Sequence, residues 1–374
     1  VTMYDNDFAR NWFKVDKIDN KKVYGHGIGI NNIIAAANAG EATASAILNG
    51  TNAEAVEVKL KNNNRAYISE GTDLKLQITT YNQSLTIGYR DTEDSEDRFQ
   101  VYVTTDWFTG QLGALTVGSD PGYSSNNRLT KAQATAFYIN EEINFGALTV
   151  NVGYRSEDWE ISQDRYVDAA RSAIATDKGY PKQLTDSDNS LMGFGATYEV
   201  NDTTQLFFGF HEGFTPTGGG ADPEEADNLE IGVRYSDEDS YFEAVYFDTD
   251  YQNMFGECTA SGGATGSCEI GDSFNAGEAS ISGFELVAQT EMTSESGIKY
   301  PLSMVYTSTD ASFDNTFDSD FWGSVTSGMD IPDLPDSQLA LQAGFETQTG
   351  LRGSATYYSY GSTCSVASCR SKTS

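Results

Sequence analysis

The sequence predicts an all-β protein, an antiparallel transmembrane β-barrel with long extracellular loops. Three observations lead to this fold class. Segments of alternating apolar and polar residues recur along the chain, and the connections between them alternate between short and long. Aromatic residues are abundant, with 21 Tyr and 20 Phe in 374 residues, many of them near segment ends. Alternation with period two is typical of strands, and aromatic girdles are typical of membrane barrels.

The alternating segments predict about thirteen strands. In the stretch 205–235, for example, Leu206, Phe208 and Phe210 fall on one face of a strand, because successive side chains of a strand point to opposite sides. In chain order, the predicted strands are residues 1–15, 66–81, 85–91, 132–143, 147–160, 191–200, 205–214, 228–235, 241–253, 279–291, 299–308, 338–347 and 351–360.

The connections carry more information than the strands. Every second connection is a tight turn, at 82–84, 144–146, 201–203, 236–240, 292–297 and 348–350. The others are long and polar, at 16–65, 92–131, 161–190, 215–227, 254–278 and 309–337. Short turns at one rim and long loops at the other are typical of an outer-membrane barrel, whereas a β-sandwich has no reason to collect its long loops at one end. No fixed repeat period indicates a propeller or solenoid.

The polar faces of the predicted strands repeat a Gly-x-Arg pattern, at Gly88/Arg90, Gly153/Arg155 and Gly232/Arg234. The opposite faces are apolar. A soluble β-protein would bury the apolar face in a core, while a membrane barrel turns it to lipid and keeps a polar lumen. The facing pattern alone leaves both open, and a secreted soluble β-protein stays an alternative. The aromatic content and the loop alternation favour the membrane barrel.

The 16–65 connection contains an alanine-rich stretch at 31–48, for which a short helix over the barrel mouth and a flexible loop are equally good interpretations. No apolar run is long enough for a spanning helix, and the first residues do not resemble a signal peptide. We therefore expect that an export signal was removed or that the chain begins within a longer protein.

The formal net charge is -32, from 23 Lys and Arg against 55 Asp and Glu, which argues against nucleic-acid binding. The acidic segments 91–97 and 310–320 lack the regular ligand spacing of a calcium loop, so we interpret them as solvated acidic loops. No metal site is predicted.

Four cysteines fall as two local pairs, Cys258 with Cys268 and Cys364 with Cys369. Four cysteines allow three pairings, of which local disulfides are the simplest, and metal binding is a weaker alternative because no histidine lies nearby. Disulfides indicate an oxidising compartment.

Catalysis has no support in the sequence, and we predict that the protein is not an enzyme. His26 and His211 are its only histidines, and no motif places a nucleophile with either of them. His211 is interpreted as a lumen-wall residue. Neither a GxGxxG nor a P-loop sequence is present, so no nucleotide cofactor is expected.

Residues 212–289 closely resemble the barrel signature of TonB-dependent outer-membrane receptors. The matching residues run in order: Gly213, Phe214 and Pro216; Pro223, Glu224, Asn228, Glu230 and Gly232; Asp250, Tyr251 and Asn253; and Gly277, Gly283 and Glu285. Upstream, YDNDFARNWFKVDKI, NNNRAYISEGTDLKL, IGYRDTEDSEDRFQ and the segment 124–155 resemble the ferric dicitrate receptor branch of that family. The resemblance covers nearly the whole chain.

This resemblance implies an outer-membrane active transporter of a ferric chelate. Its expected form is a twenty-two-stranded barrel plugged by an N-terminal domain, with residues 1–374 as part of the barrel domain, strands seven to nineteen, without the plug, the TonB box or the closing strands. The expected partners are the chelate, outer-membrane lipid, and the inner-membrane TonB energising complex through the missing N-terminal region. Iron would be cargo rather than a cofactor, and two histidines argue against haem as cargo.

An anionic ferric chelate needs fixed cations, and arginine offers planar bidentate recognition of carboxylates. We expect Arg98, Arg128 and Arg165 on outer loops, with Asn127 and Arg128 as the preferred ligand contact. Arg90 and Arg155 are expected on inward faces, where pairing with plug carboxylates is at least as good an interpretation. The alternatives are a passive outer-membrane porin or adhesion barrel, and a TonB-dependent receptor for another cargo such as carbohydrate or another siderophore.

Overall fold

The computed structural model describes residues 1–19, 27–119, 121, 126–176, 182–216, 222–257, 273–275, 277–319 and 322–364. Within these ranges the chain forms 21 strands and two helices. Thirteen long strands overlap the thirteen predicted segments one for one: β1 (Thr2–Asp19), β3 (Val56–Thr79), β4 (Gln83–Phe99), β8 (Asn127–Asn144), β9 (Leu148–Arg165), β10 (Lys182–Asn201), β11 (Thr204–Thr215), β12 (Glu224–Ser236), β13 (Ser240–Gln252), β16 (Ala279–Thr293), β17 (Lys299–Phe313), β20 (Ser337–Glu346) and β21 (Arg352–Tyr360).

Eight short strands and the two helices lie in the long connections. The short strands are β2 (Gly27–Gly29), β5 (Val101–Phe108), β6 (Gln111–Leu112), β7 (Thr116–Val117), β14 (Phe255–Glu257), β15 (Ser273–Asn275), β18 (Phe317–Ser319) and β19 (Gly323–Val325). The helices are α1 (Ile30–Asn38) and α2 (Ala42–Asn49). In the described part, neither helix is long and apolar enough to cross a membrane.

The main sheet contains seventeen strands and is antiparallel wherever its register is resolved. β1 pairs with β3, β4 with β8 and β9 with β10, and the chain then continues through β11, β12, β13, β16, β17, β20 and β21. The short connections are hydrogen-bonded turns, such as Phe145 N to Leu148 O at 2.7 Å and Thr347 N to Leu351 O at 2.9 Å. Gly146 and Gly350 adopt the φ values of +79° and +84° that these turns require. The predicted antiparallel fold class is confirmed.

Several strands extend beyond their predicted ends, on the side of the long connections. β3 begins at Val56 instead of residue 66, and β4 continues to Phe99 instead of ending at 91. The β4 extension has polar residues on both faces, so its periodicity is weak although its backbone is paired. In the β3 extension, Val56, Val58 and Leu60 alternate with polar residues, but three asparagines at 62–64 separate them from the predicted start of the strand. Two expectations are corrected as a result. Residues 91–97 form part of a strand and not an acidic loop, and residues 310–313 end strand β17.

The chain divides into two compact units, and each is described by itself. The first comprises 1–74, 90–135 and 158–187. Here α1 and α2 are separated by Gly40, whose φ is +88°, and Ile33 and Ile47 are buried against Val56 and Val58. Trp107 Nε1 donates to Ile47 O at 2.7 Å. The 31–48 stretch is therefore helical, as two helices, and the flexible-loop interpretation is wrong.

The second unit comprises 75–89, 136–157 and 188–374. The apolar faces of its strands are solvent-exposed instead of forming a core: the exposed fractions are 57% for Leu76, 53% for Ile231 and 55% for Phe284. A buried cluster of Ala279, Phe313, Val325 and Ile331 lies at strand ends and in a long connection. Exposed apolar faces on paired strands are what lipid covers in a membrane barrel, and they disagree with a soluble β-protein.

Cys364 is disulfide-bonded. Cys258, Cys268 and Cys369 lie outside the described residues, as does His26, so the predicted pairings stay predictions.

Glycines on the strands receive aromatic rings from the neighbouring strand. Phe207 is the register partner of Gly232, Phe247 of Gly283, and Phe345 of Gly353. A Cβ added to Gly232 would lie 2.4 Å from Phe207 Cζ, and one added to Gly88 would lie 2.0 Å from Tyr138 Cζ. The Arg of the Gly-x-Arg pattern then stacks nearby: Arg234 Cζ is 5.2 Å from the Phe207 ring centroid. At Gly88 and Gly232 the glycine of the pattern thus makes room for a ring, whereas Gly153 faces Asn140 instead.

We expect Gly88→Ala to destabilise the protein by about 1–3 kcal/mol, as overpacking does, because its Cβ would overlap the Tyr138 ring. All three atoms nearest to that Cβ belong to the Tyr138 side chain, so Tyr138→Ala should remove most of the penalty. The measurement is thermal unfolding in detergent, followed by circular dichroism, for both single variants and the double variant. Additive losses in the double variant would contradict the ring-on-glycine interpretation.

Candidate functional site

Three arginines on β3, β4 and β8 of the first unit surround one carboxylate, that of Glu96. Arg65 Nη1 donates to Glu96 Oε2 at 3.1 Å, and Arg98 donates to both Glu96 oxygens, to Oε2 at 3.3 Å. Arg128 Nη2 lies 3.5 Å from Glu96 Oε1. The four side chains are 14–20% exposed. We call these four residues and Arg165 the arginine cluster.

Strand alternation brings the cluster together. Arg65 is on β3, Glu96 and Arg98 are two residues apart on β4, and Arg128 is the second residue of β8. Glu96 and Arg98 have the same parity as Gly88 and Arg90, so they continue the polar face of β4. The apolar stretches of β3 and β4 lie at 74–78 and 85–89, so the cluster lies beyond the membrane-spanning part of its strands.

Arg165 ends strand β9 beside this group. Its Nε donates to Gln163 Oε1 at 3.0 Å, and Gln163 Nε2 donates across to Thr130 Oγ1 at 3.2 Å. The positive charge of Arg165 repels that of Arg128 and contributes to the lowered pKa of Arg128. The cluster therefore holds four guanidinium groups and one carboxylate.

The charges in the cluster are unbalanced. Burial by itself would raise the pKa of Glu96, but the hydrogen bond from Arg98 and the charges of Arg98, Arg65 and Arg128 outweigh it and lower the pKa. Burial and repulsion from Arg98 lower the pKa of Arg128 to about 10, although Glu96 opposes the shift. Arg128 stays protonated at neutral pH, so the cluster keeps a positive surplus.

Buried polar atoms without a partner lie on the strands that carry the cluster. Among the described residues, the unpaired donors are Arg65 Nε, Arg128 Nε, Asn63 Nδ2 and Gln100 Nε2, and the unpaired acceptors are the Oδ1 atoms of Asn52, Asn62 and Asn126. Asn63 and Gln100 are 2% and 1% exposed. A buried donor left unpaired costs about 1–3 kcal/mol, so a group that supplies oxygen acceptors would stabilise this region.

Further cations extend the polar face of β1 and β3. Lys14 pairs in register with Lys61, Lys17 with Lys59, and Arg10 with Arg65. The register shifts between Val15 and Lys17, so one extra residue keeps Lys14 and Lys17 on the same face. Like charges directly across a sheet are destabilising, and anionic groups placed over them would relieve the repulsion.

Lys61 is the most affected of these residues. Burial lowers its pKa, and repulsion from Lys14, Arg98 and Arg65 adds to the effect, while Asp16 opposes it. Tyr102, the register partner of Lys61, donates to Asp16 Oδ2 at 3.0 Å. Burial, with the nearby Asp16 carboxylate, raises the pKa of Tyr102 to about 12. The lysines thus continue the positive surface that begins at the arginine cluster.

The structure brings three of the predicted ligand residues together and leaves the others apart. Arg98, Arg128 and Arg165 meet in the cluster, but the expectation that they lie on loops is wrong: each lies at a strand end. Arg90 is exposed, and its Nη2 donates to Tyr4 OH at 3.3 Å. Arg155, ten residues before Arg165, pairs with Glu157, with Nε donating at 2.7 Å.

Asn127 is fully buried, and each of its amide atoms is used within the chain. Nδ2 donates to Asp168 O at 2.7 Å, and Oδ1 accepts from Arg171 Nε at 3.1 Å. Asn127 therefore has a structural role. It is the sequence neighbour of Arg128, and its side chain lies on the opposite face of β8. Ligand binding by Asn127 and the five arginines stays a prediction.

Sequence reasoning missed Arg65, Glu96 and Lys61. Arg65 fell one residue before the predicted start of its strand, and Glu96 fell in a segment interpreted as an acidic loop. The available signal was the even spacing of Gly88, Arg90, Glu96 and Arg98, which places all four on one face of a strand that continues past residue 91. Three carboxylates of this segment, Glu93, Glu96 and Asp97, are paired: Glu93 accepts from Lys131 at 3.1 Å and from Gln133 at 2.8 Å.

The residues of the sequence signature lie on or beside β11, β12, β13 and β16. Asn228 has a clear structural role, because its Nδ2 donates to His211 O at 3.2 Å and its Oδ1 accepts from Thr249 at 3.1 Å, which ties three strands together. Gly232 and Gly283 accommodate aromatic rings. Gly213, Phe214, Pro216, Pro223, Glu224, Glu230 and Glu285 lie within or next to these strands, and Thr215 Oγ1 donates to Glu224 Oε1 at 3.5 Å.

Comparison with protein families gives one match, which covers nearly the whole chain. A profile described as "TonB dependent receptor-like, beta-barrel" matches residues 3–367.

Similar solved structures include the unliganded ferric citrate transporter FecA, with 16% identity over 79% of this chain and 41% of that one, at a TM-score of 0.51. The ferric yersiniabactin uptake receptor FyuA from Yersinia pestis matches with 16% identity over 83% and 44%, at 0.52. The ferric-catecholate import receptor Fiu from E. coli K12, in its closed form, matches with 16% identity over 82% and 46%, at 0.55. The chain thus spans less than half the length of these three proteins, and the likeness shows the fold.

We expect Glu96→Gln to destabilise the protein at neutral pH by about 1.5–3 kcal/mol, because hydrogen bonds to charged groups have this value and three guanidinium groups lose their shared counter-ion. The pKa of Glu96 is depressed, so its contribution is present above the ordinary value of 4.5 and is lost as the pH falls through the lower, folded value. The variant should therefore lose less stability than wild type below pH 4.5.

The measurement is the thermal unfolding midpoint in detergent from neutral to acidic pH. Glu295→Gln, which changes an exposed turn carboxylate, is the matched control and should follow the wild-type curve. If the unfolding midpoint of Glu96→Gln depends on pH in the same way as those of wild type and Glu295→Gln, Glu96 is not the counter-ion of the cluster.

Proposed function

The chain belongs to the TonB-dependent receptor β-barrel family, and from that premise we propose that it forms part of the barrel of an outer-membrane receptor that imports an anionic ferric chelate, with ferric dicitrate as the leading cargo. The observation that carries this proposal is the arginine cluster. In a chain of net charge -32, three guanidinium groups converge on one carboxylate, a fourth from Arg165 lies beside them, and the surplus of positive charge lies next to unpaired buried donors.

A carboxylate-rich chelate suits this chemistry. Its oxygens are acceptors only, which suits the unpaired guanidinium donors Arg65 Nε and Arg128 Nε, and planar guanidinium groups bind carboxylates through two parallel hydrogen bonds. Ferric dicitrate is preferred over other siderophores because the upstream segments resemble the ferric dicitrate branch. The receptors of ferric citrate, ferric yersiniabactin and ferric catecholate each have 16% identity to this chain. Their sequence identities therefore do not favour one cargo.

The lysine pairs of β1 and β3 extend the binding surface along the strands. Lys59, Lys61, Lys14 and Lys17 share a face with Arg65; Lys59 is paired with Glu57 at 3.6 Å and Asp16 lies near Lys61, and the remaining positive charges adjoin those of the cluster. The field of these charges in an otherwise acidic protein attracts an anionic chelate to one place and lowers non-productive contact elsewhere.

Transport requires no covalent chemistry in this proposal. The cluster captures the chelate, the iron stays cargo, and the inner-membrane TonB complex supplies the energy for release. Outer-membrane lipid covers the apolar strand faces, such as those of Ile231 and Phe284, which are exposed in the isolated chain.

We expect Arg98→Ala and Arg128→Ala each to weaken ferric citrate binding roughly ten- to a hundredfold, because each removes charge-assisted hydrogen bonds of about 1.5–3 kcal/mol. Arg128→Lys should lie between wild type and Arg128→Ala, since lysine keeps the charge but not the planar fork. The measurements are the dissociation constant in detergent and the uptake of radiolabelled ferric citrate by cells that carry the whole receptor gene, with and without a protonophore.

Arg234→Ala is the matched control, because it breaks another arginine–carboxylate pair, with Glu243 at 2.6 Å, on strands that do not contribute to the cluster. It should bind and transport as wild type does. If the rate of ferric citrate uptake is the same with and without the protonophore, the result favours a passive porin. Wild-type binding that is unaffected by both alanine variants would rule out the cluster as the binding site, and a preference for a catecholate chelate would reassign the cargo.

A further inference from the structure

The segment that follows β9 folds into a compact strap, residues 166–176, through its own hydrogen bonds. Arg171 N donates to Asp168 O at 3.1 Å, and Ser172 N donates to Asp168 Oδ1 at 3.0 Å. The strap closes on its own strand, where Ala175 N donates to Arg165 O at 2.8 Å. It is therefore a built element with a defined conformation.

Arg171 attaches this strap to two other strands. Its Nη1 and Nη2 bind Asp97 Oδ2 at 2.8 Å and Oδ1 at 2.5 Å, and Nη2 also donates to Arg98 O at 3.0 Å. Its Nε donates to Asn127 Oδ1 at 3.1 Å. The guanidinium carbon lies 4.7 Å from the ring centroid of Tyr166. One side chain thus links β4, β8 and the end of β9.

Asn127 completes the attachment from the side of β8. It is 0% exposed, and besides accepting from Arg171 it donates to Asp168 O at 2.7 Å. Its backbone carbonyl accepts from Tyr166 N at 3.0 Å. Asn127 is therefore bound to the strap through both its side chain and its backbone.

The attachment points are the sequence neighbours of the arginine cluster. Asp97 lies between Glu96 and Arg98, Asn127 precedes Arg128, and Tyr166 follows Arg165. Because side chains alternate along a strand, Asp97 and Asn127 point to the face opposite to that of Glu96, Arg98 and Arg128. The strap therefore holds the strand ends from one face, while the cluster occupies the other.

The backbone of Arg171 is itself held in an unfavourable conformation. Its φ is 53°, in the left-handed region that arginine rarely adopts. Such a conformation persists only where the surrounding contacts outweigh its cost, and these contacts are the bidentate pair with Asp97 and the bonds to Asn127 and Arg98 O. Because Arg171 lies in the strap but is bound to residues of β4 and β8, it has a role beyond the strap.

We propose that Arg171 is a positioning residue for the arginine cluster: by fixing the ends of β4 and β8 to the strap, it sets the spacing of Arg98, Arg128 and Arg165. This inference rests on the proposed function of the cluster as the chelate site. Arg171 reaches the cluster strands through Asp97, Asn127 and a backbone carbonyl, so it acts on the ligand through other residues. Removing it lets the strand ends separate and costs affinity with no change in the groups that contact the chelate.

The test uses the whole receptor in detergent and combines two measurements. Arg171→Ala should weaken ferric citrate binding roughly tenfold, within the range known for coupled contacts. It should also raise hydrogen–deuterium exchange at the amides of residues 96–99 and 126–129. In the double variant Arg98→Ala/Arg171→Ala the two losses should be less than additive, because both act on the same constellation. A residue that merely stabilised the fold would give additive losses.

Arg234→Ala combined with Arg98→Ala is the matched control and should be additive. Asp97→Asn keeps the shape of the attachment but removes its charge, so it should shift both measurements in the same direction by a smaller factor, and it replaces Arg171→Ala if that variant does not fold.

Unchanged exchange at these amides in Arg171→Ala overturns the positioning role, as do wild-type affinity or strict additivity with Arg98→Ala. If wild type itself does not bind ferric citrate, the cargo assignment fails on its own. The exchange at residues 96–99 and 126–129 then decides the positioning role without the ligand: raised exchange supports it and unchanged exchange overturns it.

Discussion

The alternation of strand side chains between an exposed apolar face and a polar face is the constraint on which the rest of this structure depends. A strand that places Ile231 or Phe284 on the exposed apolar face must place the residues on either side of it on the polar face, and every backbone group of a membrane-spanning strand must find its partner in a neighbouring strand. Polar and charged residues are thereby collected on one side of the sheet. The arginine cluster follows from this rule, because the same alternation continues along β3 and β4 beyond residues 74–78 and 85–89.

The electrostatics of the cluster show how an acidic protein can offer a positive site. The excess of carboxylates is spread over the chain, whereas Arg65, Arg98 and Arg128 converge on the single carboxylate of Glu96. The guanidinium groups repel one another, and Glu96 holds them close together by attracting all three. Its single negative charge does not neutralise their positive charges. Burial strengthens both effects, since charges interact more strongly where water is excluded.

Sequence reasoning identified all thirteen long strands and the turns between them, because apolar alternation and turn residues such as Gly146 and Gly350 are local signals. It failed where the signal is not local. The end of β4 has polar residues on both faces, and three asparagines at 62–64 interrupt the alternation of β3, so the strand character of these parts depends on pairing with neighbours. The meeting of Arg65 with Glu96 depends on register. Arg171 was invisible for the same reason: its partners are 44 to 74 residues away in sequence and come together only in the folded chain.

The aromatic rings that lie over glycines have a consequence for assembly of the sheet. Phe207 faces Gly232, and a slip of two residues would keep the facing pattern but place the ring opposite Glu230 or Arg234, where a side chain fills the space. Phe247 on Gly283 and Phe345 on Gly353 impose the same demand on other strand pairs. Hydrophobic patterning distinguishes odd from even shifts but cannot distinguish one even shift from another. The ring–glycine pairs make that second distinction, so that each of these three strand pairs has a contact that disfavours misaligned pairing.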